Sequence, residues 1–433
     1  MTSRFDVRRR TLAFGLAGGS AALACPAWLR AQPAALNVLA HNVHKTVATG
    51  KQGGDITEAW AARSKLAVNW LTFDTGPLKE RLFREASLGE TTIDVGFLLN
   101  TQVTPAAAAL FEPLDELMKA EPIEDLADLF PGMVDAMRFG GKLCAIPFRH
   151  STSGLHYNEE LLKERGIAAP PRTIEELADA AKKLTFTRAD GSKVAGFVIP
   201  GLTYPNVVDL ARAWDGDFIT PDYRVVANEA PMVRAIAFMH ELQVAGALPR
   251  GFNTLGTEDV NTWMQSGRAA MAITGMGRHN IYNDPAKSKY PGRIKVVPIP
   301  ISNELKGKYE VAPAKVEFWA MAIPKGSKNK KQAWSLIREM ASKQATLKAA
   351  LNGNGPVRAS TYADAGFTSK LPYAAEELRV LKVARAPMPA FDNAQKAADT
   401  FKEEAEAAVL GQKSPQQAMD DLVAKVRPML PAK

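Results

Sequence analysis

Apolar runs of strand length alternate with helical patterns through the first quarter of this chain. Residues 36–40, 66–73 and 92–99 are short apolar runs typical of buried strands. Between the last two, residues 76–88 repeat apolar side chains with the period of an amphipathic helix. Strands that alternate with helices form a largely parallel sheet covered by helices on both faces. The sequence therefore predicts an α/β fold.

The length of the chain and its cysteines limit how this fold is stabilised. The 433 residues exceed what a single hydrophobic core usually supports, which predicts two domains. Of the two cysteines, Cys25 lies in an N-terminal segment expected to be removed, and Cys144 then has no partner. The mature protein is therefore expected to be held by its cores, without an intrachain disulfide, a metal ion or a cofactor.

The N-terminus has the layout of a secretory signal. A basic cluster that contains Arg9 and Arg10 precedes residues 11–24, an apolar stretch too short and too rich in Gly and Ala to span a bilayer. The order Arg-Arg-Thr-Leu-Ala is also typical of twin-arginine signals. We expect cleavage after Ala31, so that residues 1–31 are the signal peptide and the protein resides in the periplasm. Removal of that segment takes away five basic residues and one acid, which lowers the formal net charge from +8 to +4.

Sequence motifs of the common enzyme classes are absent. The chain contains no GxxxxGK, GxSxG, HExxH or CxxC pattern, so we expect a protein that is not an enzyme. His41 and His44 have the spacing of two metal ligands, but without further His or Cys nearby they are interpreted as hydrogen-bonding groups. No basic run is interleaved with aromatic residues, which argues against nucleic acid as a partner.

Seven segments resemble, in the same order, stretches of the family 1 extracellular solute-binding proteins of bacterial ABC importers. The longest, residues 140–158, begins with Gly-Gly-Lys and ends in Tyr-Asn like the family's hinge-crossing segment. Residues 267–275 are similar to the Gly-x-Ala-Ala-Met strand that returns through the hinge, and residues 318–329 are similar to the third crossing. The remaining matches are residues 170–177, 214–218, 355–358 and 409–415.

This resemblance implies a two-lobed periplasmic-binding-protein fold. Each lobe is expected to be a mainly parallel sheet flanked by helices, with a ligand cleft at the hinge that closes on binding. The matched crossings assign residues 32–147 and 272–320 to the N-terminal lobe, and residues 148–271 and 321–433 to the C-terminal lobe. The resemblance also implies a monomer with two kinds of partner, which are a small captured solute and the membrane permease subunits of an ABC importer.

Candidate ligand-binding residues follow strand ends or lie on the hinge crossings, where ligands bind in open α/β sheets. Trp214 is the sharpest candidate, because a sugar ring stacks on an exposed indole. Arg149 and Arg278, together with histidines of the same loops, would also suit a carboxylate or phosphate. We expect a neutral carbohydrate or polyol and keep an anionic solute as the alternative. The full set is His41, Asn42, His44, Asp74, Asn100, Arg149, His150, Trp214, Asp215, Arg278, Glu317 and Trp319.

Two functions of other classes remain as alternatives. A secreted glycoside-acting enzyme would need a pair of carboxylates or a nucleophile in the cleft. A sensor or assembly protein that binds no small molecule would have a cleft without aromatic side chains and hydrogen-bond donors. Native mass spectrometry of protein purified without dialysis separates both from solute capture, because a tightly bound solute stays attached through purification.

Overall fold

The computed structural model describes residues 35–431. The expected signal peptide, residues 1–31, lies outside the described residues, so the structure does not test it. Within residues 35–431, no helix is long and apolar enough to cross a bilayer. Strands and helices alternate along this part of the chain, which is the pattern that the sequence predicts.

Most strands belong to one sheet that runs through the whole molecule. The sheet has the order β2-β1-β3-β11-β6-β9-β8-β7, with β10 also beside β6, and a separate hairpin contains β4 and β5. Strand β1 pairs in parallel with β2 and β3, and β8 pairs in parallel with β9, as expected for an α/β fold. The strands of the described chain are β1 (Ala35–His41), β2 (Ala67–Phe73), β3 (Val95–Leu99), β4 (Arg138–Phe139), β5 (Lys142–Leu143), β6 (Ile146–Asn158), β7 (Phe186–Thr187), β8 (Lys193–Val198), β9 (Ala269–Gly275), β10 (Ile294–Val297) and β11 (Val316–Ala322).

Helices flank this sheet along its whole length. The first six, with α13 and α14, accompany the half that contains β1 to β3, whereas α7 to α12, α17 and α18 accompany the half that contains β8 and β9. The helices are α1 (Asn42–Ala48), α2 (Glu58–Ser64), α3 (Thr75–Ser87), α4 (Pro105–Ala108), α5 (Asp115–Ala120), α6 (Pro131–Asp135), α7 (Glu159–Glu164), α8 (Ile174–Lys183), α9 (Tyr204–Ala211), α10 (Ala230–Val244), α11 (Thr257–Ser266), α12 (His279–Tyr282), α13 (Lys330–Met340), α14 (Lys343–Leu351), α15 (Ala365–Thr368), α16 (Ala374–Leu381), α17 (Ala394–Val409) and α18 (Pro415–Val426).

Strand β6 joins the two lobes. Its first half, up to Thr152, pairs with β11, whereas its second half, from Ser153 onward, pairs with β9 and β10. A strand of 13 residues extends for about 40 Å at 3.3 Å per residue, which is enough to reach through both lobes. The chain therefore crosses between the lobes near Thr152, inside the segment 140–158 that the sequence identifies as a hinge crossing.

The pairing of the strands places two segments in different lobes from those expected. Strands β9 and β10 pair with the second half of β6, so residues 272–297 lie with the C-terminal lobe rather than with the N-terminal one. Helix α13 packs on the N-terminal lobe instead, where the indole N–H of Trp334 donates to the carbonyl oxygen of Glu121 at 3.0 Å. The sequence identifies both segments correctly as strand and helix, but their neighbours are chosen by residues far away in the chain.

Local sequence signals set the ends of several helices. The side-chain oxygen of Thr173 accepts a hydrogen bond from the Glu176 N–H at 3.2 Å at the start of α8, as its capping motif predicts. Ser414 caps α18 in the same way. Gly196 in β8 then lets α8 lie close to the sheet, because a Cβ atom at this position would come within 1.7 Å of the carbonyl oxygen of Ala181.

Candidate functional site

A cavity of about 700 Å³ lies against the crossing strands and the loops that follow β8 and β9. These loops leave the carboxyl ends of parallel strands, the position at which open α/β sheets bind ligands. Most of the side chains that face the cavity carry a hydroxyl, an amide or a charge. The polar lining is Ser151, Ser153, Thr203, Asn206, Asn253, Thr254, Thr257, Thr274, Arg278, Lys315, Glu317 and Lys402.

A second cavity, of about 540 Å³, adjoins the first and extends toward the N-terminal lobe. Pro205 and Glu317 border both cavities. Thr101 and Gln102, which follow β3, bring the N-terminal lobe into its lining. The two cavities therefore adjoin each other between the lobes; together we call them the cleft, and Glu317 lies where they meet.

Three of the four cations that border the cleft have a carboxylate nearby, whereas Lys79 of the second cavity has no ion-pair partner among residues 35–431. Lys315 Nζ lies 3.5 Å from the Asp209 carboxylate, and Lys402 Nζ lies 3.1 Å from the Glu406 carboxylate. Arg278 is paired more loosely, because the nearest carboxylate is 3.9 Å from its guanidinium group. The positive charge of the larger cavity is therefore largely compensated before any solute enters.

The Glu317 carboxylate, in contrast, has no hydrogen-bond or ion-pair partner among residues 35–431. In the sheet, Glu317 of β11 lies opposite Ser151 of β6. Ser153 lies on the same side of β6 as Ser151, because successive side chains of a strand alternate between its faces. An unpaired carboxylate beside two hydroxyl groups offers acceptors to a ligand that brings hydroxyl donors.

Three predicted residues of the N-terminal lobe lie together at the ends of β1 and β2. The Nε2 atom of His41 is 3.9 Å from the Asp74 carboxylate, and the Asn42 side-chain amide donates to the same carboxylate at 3.4 Å. The Asp74 side chain is 82% exposed. The structure therefore brings these three residues together as predicted, but they lie outside the lining of the two cavities.

Two further residues of this lobe, His44 and Asn100, are part of the packed core. His44 stacks on Phe97 at 4.4 Å, and its Nδ1 accepts a hydrogen bond from the His41 N–H at 3.2 Å. Burial, followed by the charge of Arg149, lowers the pKa of His44 well below its usual value. Within residues 35–431, no group of three or more His, Cys, Asp or Glu is placed to hold a metal ion.

Trp319 and Asn100 have structural partners around β11. The Trp319 indole is 9% exposed and lies edge-on to His44, with 4.9 Å between the ring centres. The Asn100 side-chain oxygen accepts a hydrogen bond from the backbone N–H of Phe318 at 3.0 Å. Both residues therefore fix the position of β11 next to β3, and the structure leaves them little surface for a solute.

Arg149 and His150 border a third cavity, of about 350 Å³, which we call the side cavity. Ser151, Gly275 and Arg278 border both this cavity and the cleft. His150 is buried, with its Nε2 atom 3.1 Å from the hydroxyl oxygen of Tyr362, and burial lowers its pKa to about 3. Of the residues predicted from the sequence, Arg278 therefore borders both the cleft and the side cavity.

The structure does not bring Trp214 and Asp215 to the cleft. Trp214 is half-buried beside Phe238, with 6.3 Å between the ring centres, and it lies outside the lining of both cavities. The Asp215 carboxylate is bound by Lys308 at 2.5 Å and by Arg385 at 3.0 Å. Lys308 and Arg385 lie on the segments that connect the lobes. The loop that carries Trp214 and Asp215 therefore holds those segments in place and puts no aromatic ring in the cleft.

Several side chains of the cleft were not among the predicted residues. Ser151, which the sequence places on the same hinge crossing as Arg149 and His150, lines the cleft, and Ser153 follows two positions later on the same face of the strand. Thr203 and Asn206 follow the end of β8, so the strand-end rule that selected His41 and Asp74 applies to them as well. The polar residues that the structure adds are Ser153, Thr203, Asn206, Asn253, Thr254, Thr257, Thr274, Lys315 and Lys402.

The sequence profile described as "Bacterial extracellular solute-binding protein" matches residues 52–347, which include β2 to β11 and most of the helices. The chain belongs to this family. The two-lobed α/β fold predicted from the sequence is confirmed by solved structures of the same architecture. A maltose-bound protein of T. maritima is 24% identical, covers 92% of this chain and 100% of its own, and superposes with a TM-score of 0.71.

Two relatives of this solute-binding protein have named functions. "Probable ABC transporter-binding protein" of Deinococcus radiodurans is 26% identical over 330 residues, 75% of this chain and 76% of the relative. The mannitol-binding protein of Pseudomonas aeruginosa is 24% identical over 329 residues, 73% of this chain and 72% of the relative. The family is one of extracellular solute-binding proteins, and both relatives are named as binding proteins, the first of them for an ABC transporter.

Proposed function

We propose that this solute-binding protein captures a small sugar or polyol in the cleft and delivers it to the permease subunits of an ABC importer. The observation that carries the proposal is the unpaired Glu317 carboxylate, which stands between hydroxyl-bearing side chains of the crossing strands. A carboxylate accepts hydrogen bonds from two neighbouring hydroxyl groups at once, which is the arrangement that a polyol offers. The names of the mannitol-binding relative and of the maltose-bound neighbour support the same class of solute.

The charges of the cleft favour a neutral solute over an anionic one. Lys315 and Lys402 each lie close to a carboxylate of the protein, so an incoming anion would compete with existing pairs. An anion would also approach the Glu317 carboxylate, which costs free energy in a partly desolvated site. Hydroxyl and amide groups of Ser, Thr and Asn instead supply neutral donors and acceptors around the solute.

Binding without turnover agrees with the same geometry. Among residues 35–431, Glu317 is the one carboxylate that lines the larger cavity of the cleft, because Asp392 borders only the second cavity. A glycoside-acting enzyme uses two carboxyl groups on opposite sides of the scissile bond. Membership of a family of binding proteins supports the same conclusion.

Titration calorimetry with a panel of solutes tests this proposal. We expect at least one of mannitol, ribitol, glucose and maltose to bind with a Kd of about 1 μM or tighter, a free energy of about −8 kcal/mol. Binding of a neutral solute should change little between low and high salt. Binding restricted to gluconate or glucose 6-phosphate, with strong salt dependence, would favour the anionic alternative, and release of a hydrolysis product from maltose would favour an enzyme.

We further propose that the chain is exported through the twin-arginine pathway. Replacement of Arg9 and Arg10 together by Lys is expected to leave the unprocessed precursor inside the cell, because the receptor reads the arginine pair itself. Fractionation followed by immunoblotting measures the mature protein in the periplasm, and Arg4→Lys serves as the matched control. Undiminished periplasmic protein from the double variant would contradict the twin-arginine route and leave general secretion.

A further inference from the structure

The side cavity contains charges of both signs that the protein does not pair. It lies beside the crossing strand β6, between the end of α14, the helix α16 and the turn after β9. Its volume of about 350 Å³ suits a small molecule rather than a sugar chain. The charged residues that border it are Arg149, Arg278 and Glu377.

Glu377 is the buried acid of this cavity. Its side chain is 6% exposed and accepts one hydrogen bond, from the Tyr362 hydroxyl at 2.7 Å. No Lys, Arg or His of residues 35–431 lies within ion-pair distance of it. Burial of a carboxylate with one neutral donor costs free energy unless a cation or further donors reach it.

Arg149 is the corresponding unpaired cation. The guanidinium group is half-buried and has no carboxylate partner among residues 35–431, and its Nε lacks a hydrogen-bond acceptor. Asn354, also on the wall of the cavity, donates to the Phe148 carbonyl oxygen at 2.8 Å, but its buried side-chain oxygen accepts nothing. The lining of this cavity therefore includes a cation without a carboxylate partner, an amide oxygen without a hydrogen-bond donor and a carboxylate with one donor.

We propose that the side cavity is a second binding site, which takes a small zwitterion such as an α-amino acid. Its ammonium group would pair with Glu377 and its carboxylate with Arg149. A ligand of this kind satisfies both charges at once, whereas a simple anion leaves the carboxylate uncompensated and a simple cation leaves the guanidinium unpaired. This site adjoins the sugar site proposed for the cleft, because Ser151, Gly275 and Arg278 border both spaces, but neither Arg149 nor Glu377 lines the cleft.

The titration of Glu377 supports the assignment and gives it a pH dependence. Burial raises its pKa to about 7, while the Tyr362 hydrogen bond opposes that shift. The other titratable groups around it are His150 on β6 and Tyr373 before α16, which are both neutral near pH 7 because burial lowers the first pKa and raises the second. Arg149 and Arg278 border the cavity from β6 and from the turn after β9. A ligand ammonium group needs the ionised carboxylate, so binding should tighten as the pH rises from 6 to 8.

Calorimetry with glycine, L-alanine and L-proline tests the site, with acetate and ethylamine as probes for each half of the zwitterion. We expect an amino acid to bind at least about tenfold more tightly than either half, and more tightly at pH 8 than at pH 6. Acetate that binds as tightly as alanine would overturn the zwitterion and indicate a simple anion site. No heat from any amino acid at about 10 mM would overturn the site itself.

The variant Glu377→Gln keeps the size of the side chain and an acceptor for Tyr362 while it removes the charge. We expect it to weaken amino-acid binding by about tenfold to a hundredfold and to abolish the pH dependence. Glu376→Gln, the neighbouring residue that pairs with Arg379, is the matched control and should leave both unchanged. Sugar binding in the cleft should persist in Glu377→Gln, so failure of this proposal and failure of the proposed function give different results. Unaltered amino-acid affinity in a folded Glu377→Gln protein would place the ligand elsewhere.

Discussion

Replacement of Arg212 by Met is expected to lower the free energy of unfolding by about 3–5 kcal/mol. The Arg212 side chain is 1% exposed and lies between the C-terminal lobe and a segment that connects the lobes. It donates two hydrogen bonds to one carboxylate oxygen of Asp217, at 2.8 and 2.9 Å. It also donates to the carbonyl oxygens of Arg385 and Ala386, at 2.9 and 2.6 Å.

Met fills a similar volume but leaves every one of these acceptors without its donor. A half-buried carboxylate and two carbonyl groups then lose partners that water cannot fully replace. Urea denaturation followed by circular dichroism measures the change. Arg224→Met is the matched control, because Arg224 pairs with Asp222 at 3.1 Å on an exposed turn, where an ion pair contributes about 0–1 kcal/mol. An equal decrease in the free energy of unfolding in the two variants would mean that the buried contacts of Arg212 stabilise the protein no more than an exposed ion pair does.

Replacement of Glu317 by Gln is expected to weaken binding of the sugar or polyol by about tenfold to a hundredfold. A hydrogen bond to a charged group contributes about 1.5–3 kcal/mol, and the amide of Gln keeps one acceptor while it loses the charge and the second acceptor. Stability of the solute-free protein should not fall, because no group of residues 35–431 is paired with this carboxylate. Calorimetric titration with the tightest neutral solute of the panel measures the affinity, and thermal unfolding measures the stability.

Glu310→Gln provides the matched control for this variant. Glu310 pairs with Arg379 at 2.8 Å and lies outside the cleft lining, so its loss should leave affinity unchanged. Unchanged affinity in Glu317→Gln would contradict the role of this carboxylate. A variant that binds gluconate more tightly than the wild-type protein, while neutral solutes lose nothing, would show that Glu317 repels an anionic solute instead of holding a neutral one.

Much of the fold could be predicted from the sequence, because its signals are local. The apolar runs at 36–40, 66–73 and 92–99 correspond to β1, β2 and β3. The caps at Thr173 and Ser414 form hydrogen bonds within one helical turn, so a few neighbouring residues are enough to specify them. The order of the family segments extends this to the two-lobed architecture, and solved structures of the same architecture confirm it.

The candidate site was predicted less well, since it depends on contacts between distant parts of the chain. Trp214 looks like a cleft residue in the sequence, but in the fold it is half-buried beside Phe238 and outside the cleft lining. Ser151 and Glu317 are 166 positions apart in the numbering and come together only because β6 and β11 pair. The sequence identifies Glu317 and Arg278 as candidates. It does not show that Glu317 lacks a partner among the described residues, or that a carboxylate lies near Arg278.

The sequence by itself determined the kinds of element, their ends and the family, because hydrophobic period, capping and motif order act over short stretches. Only the tertiary structure decided which lobe β9, β10 and α13 join, since strand pairing and helix packing depend on distant partners. It also decided which charges are compensated. Lys315 meets Asp209 across the fold, whereas Glu317 and Glu377 meet no cation among the described residues. Charge compensation is a property of three-dimensional proximity, and residue spacing along the chain does not encode it.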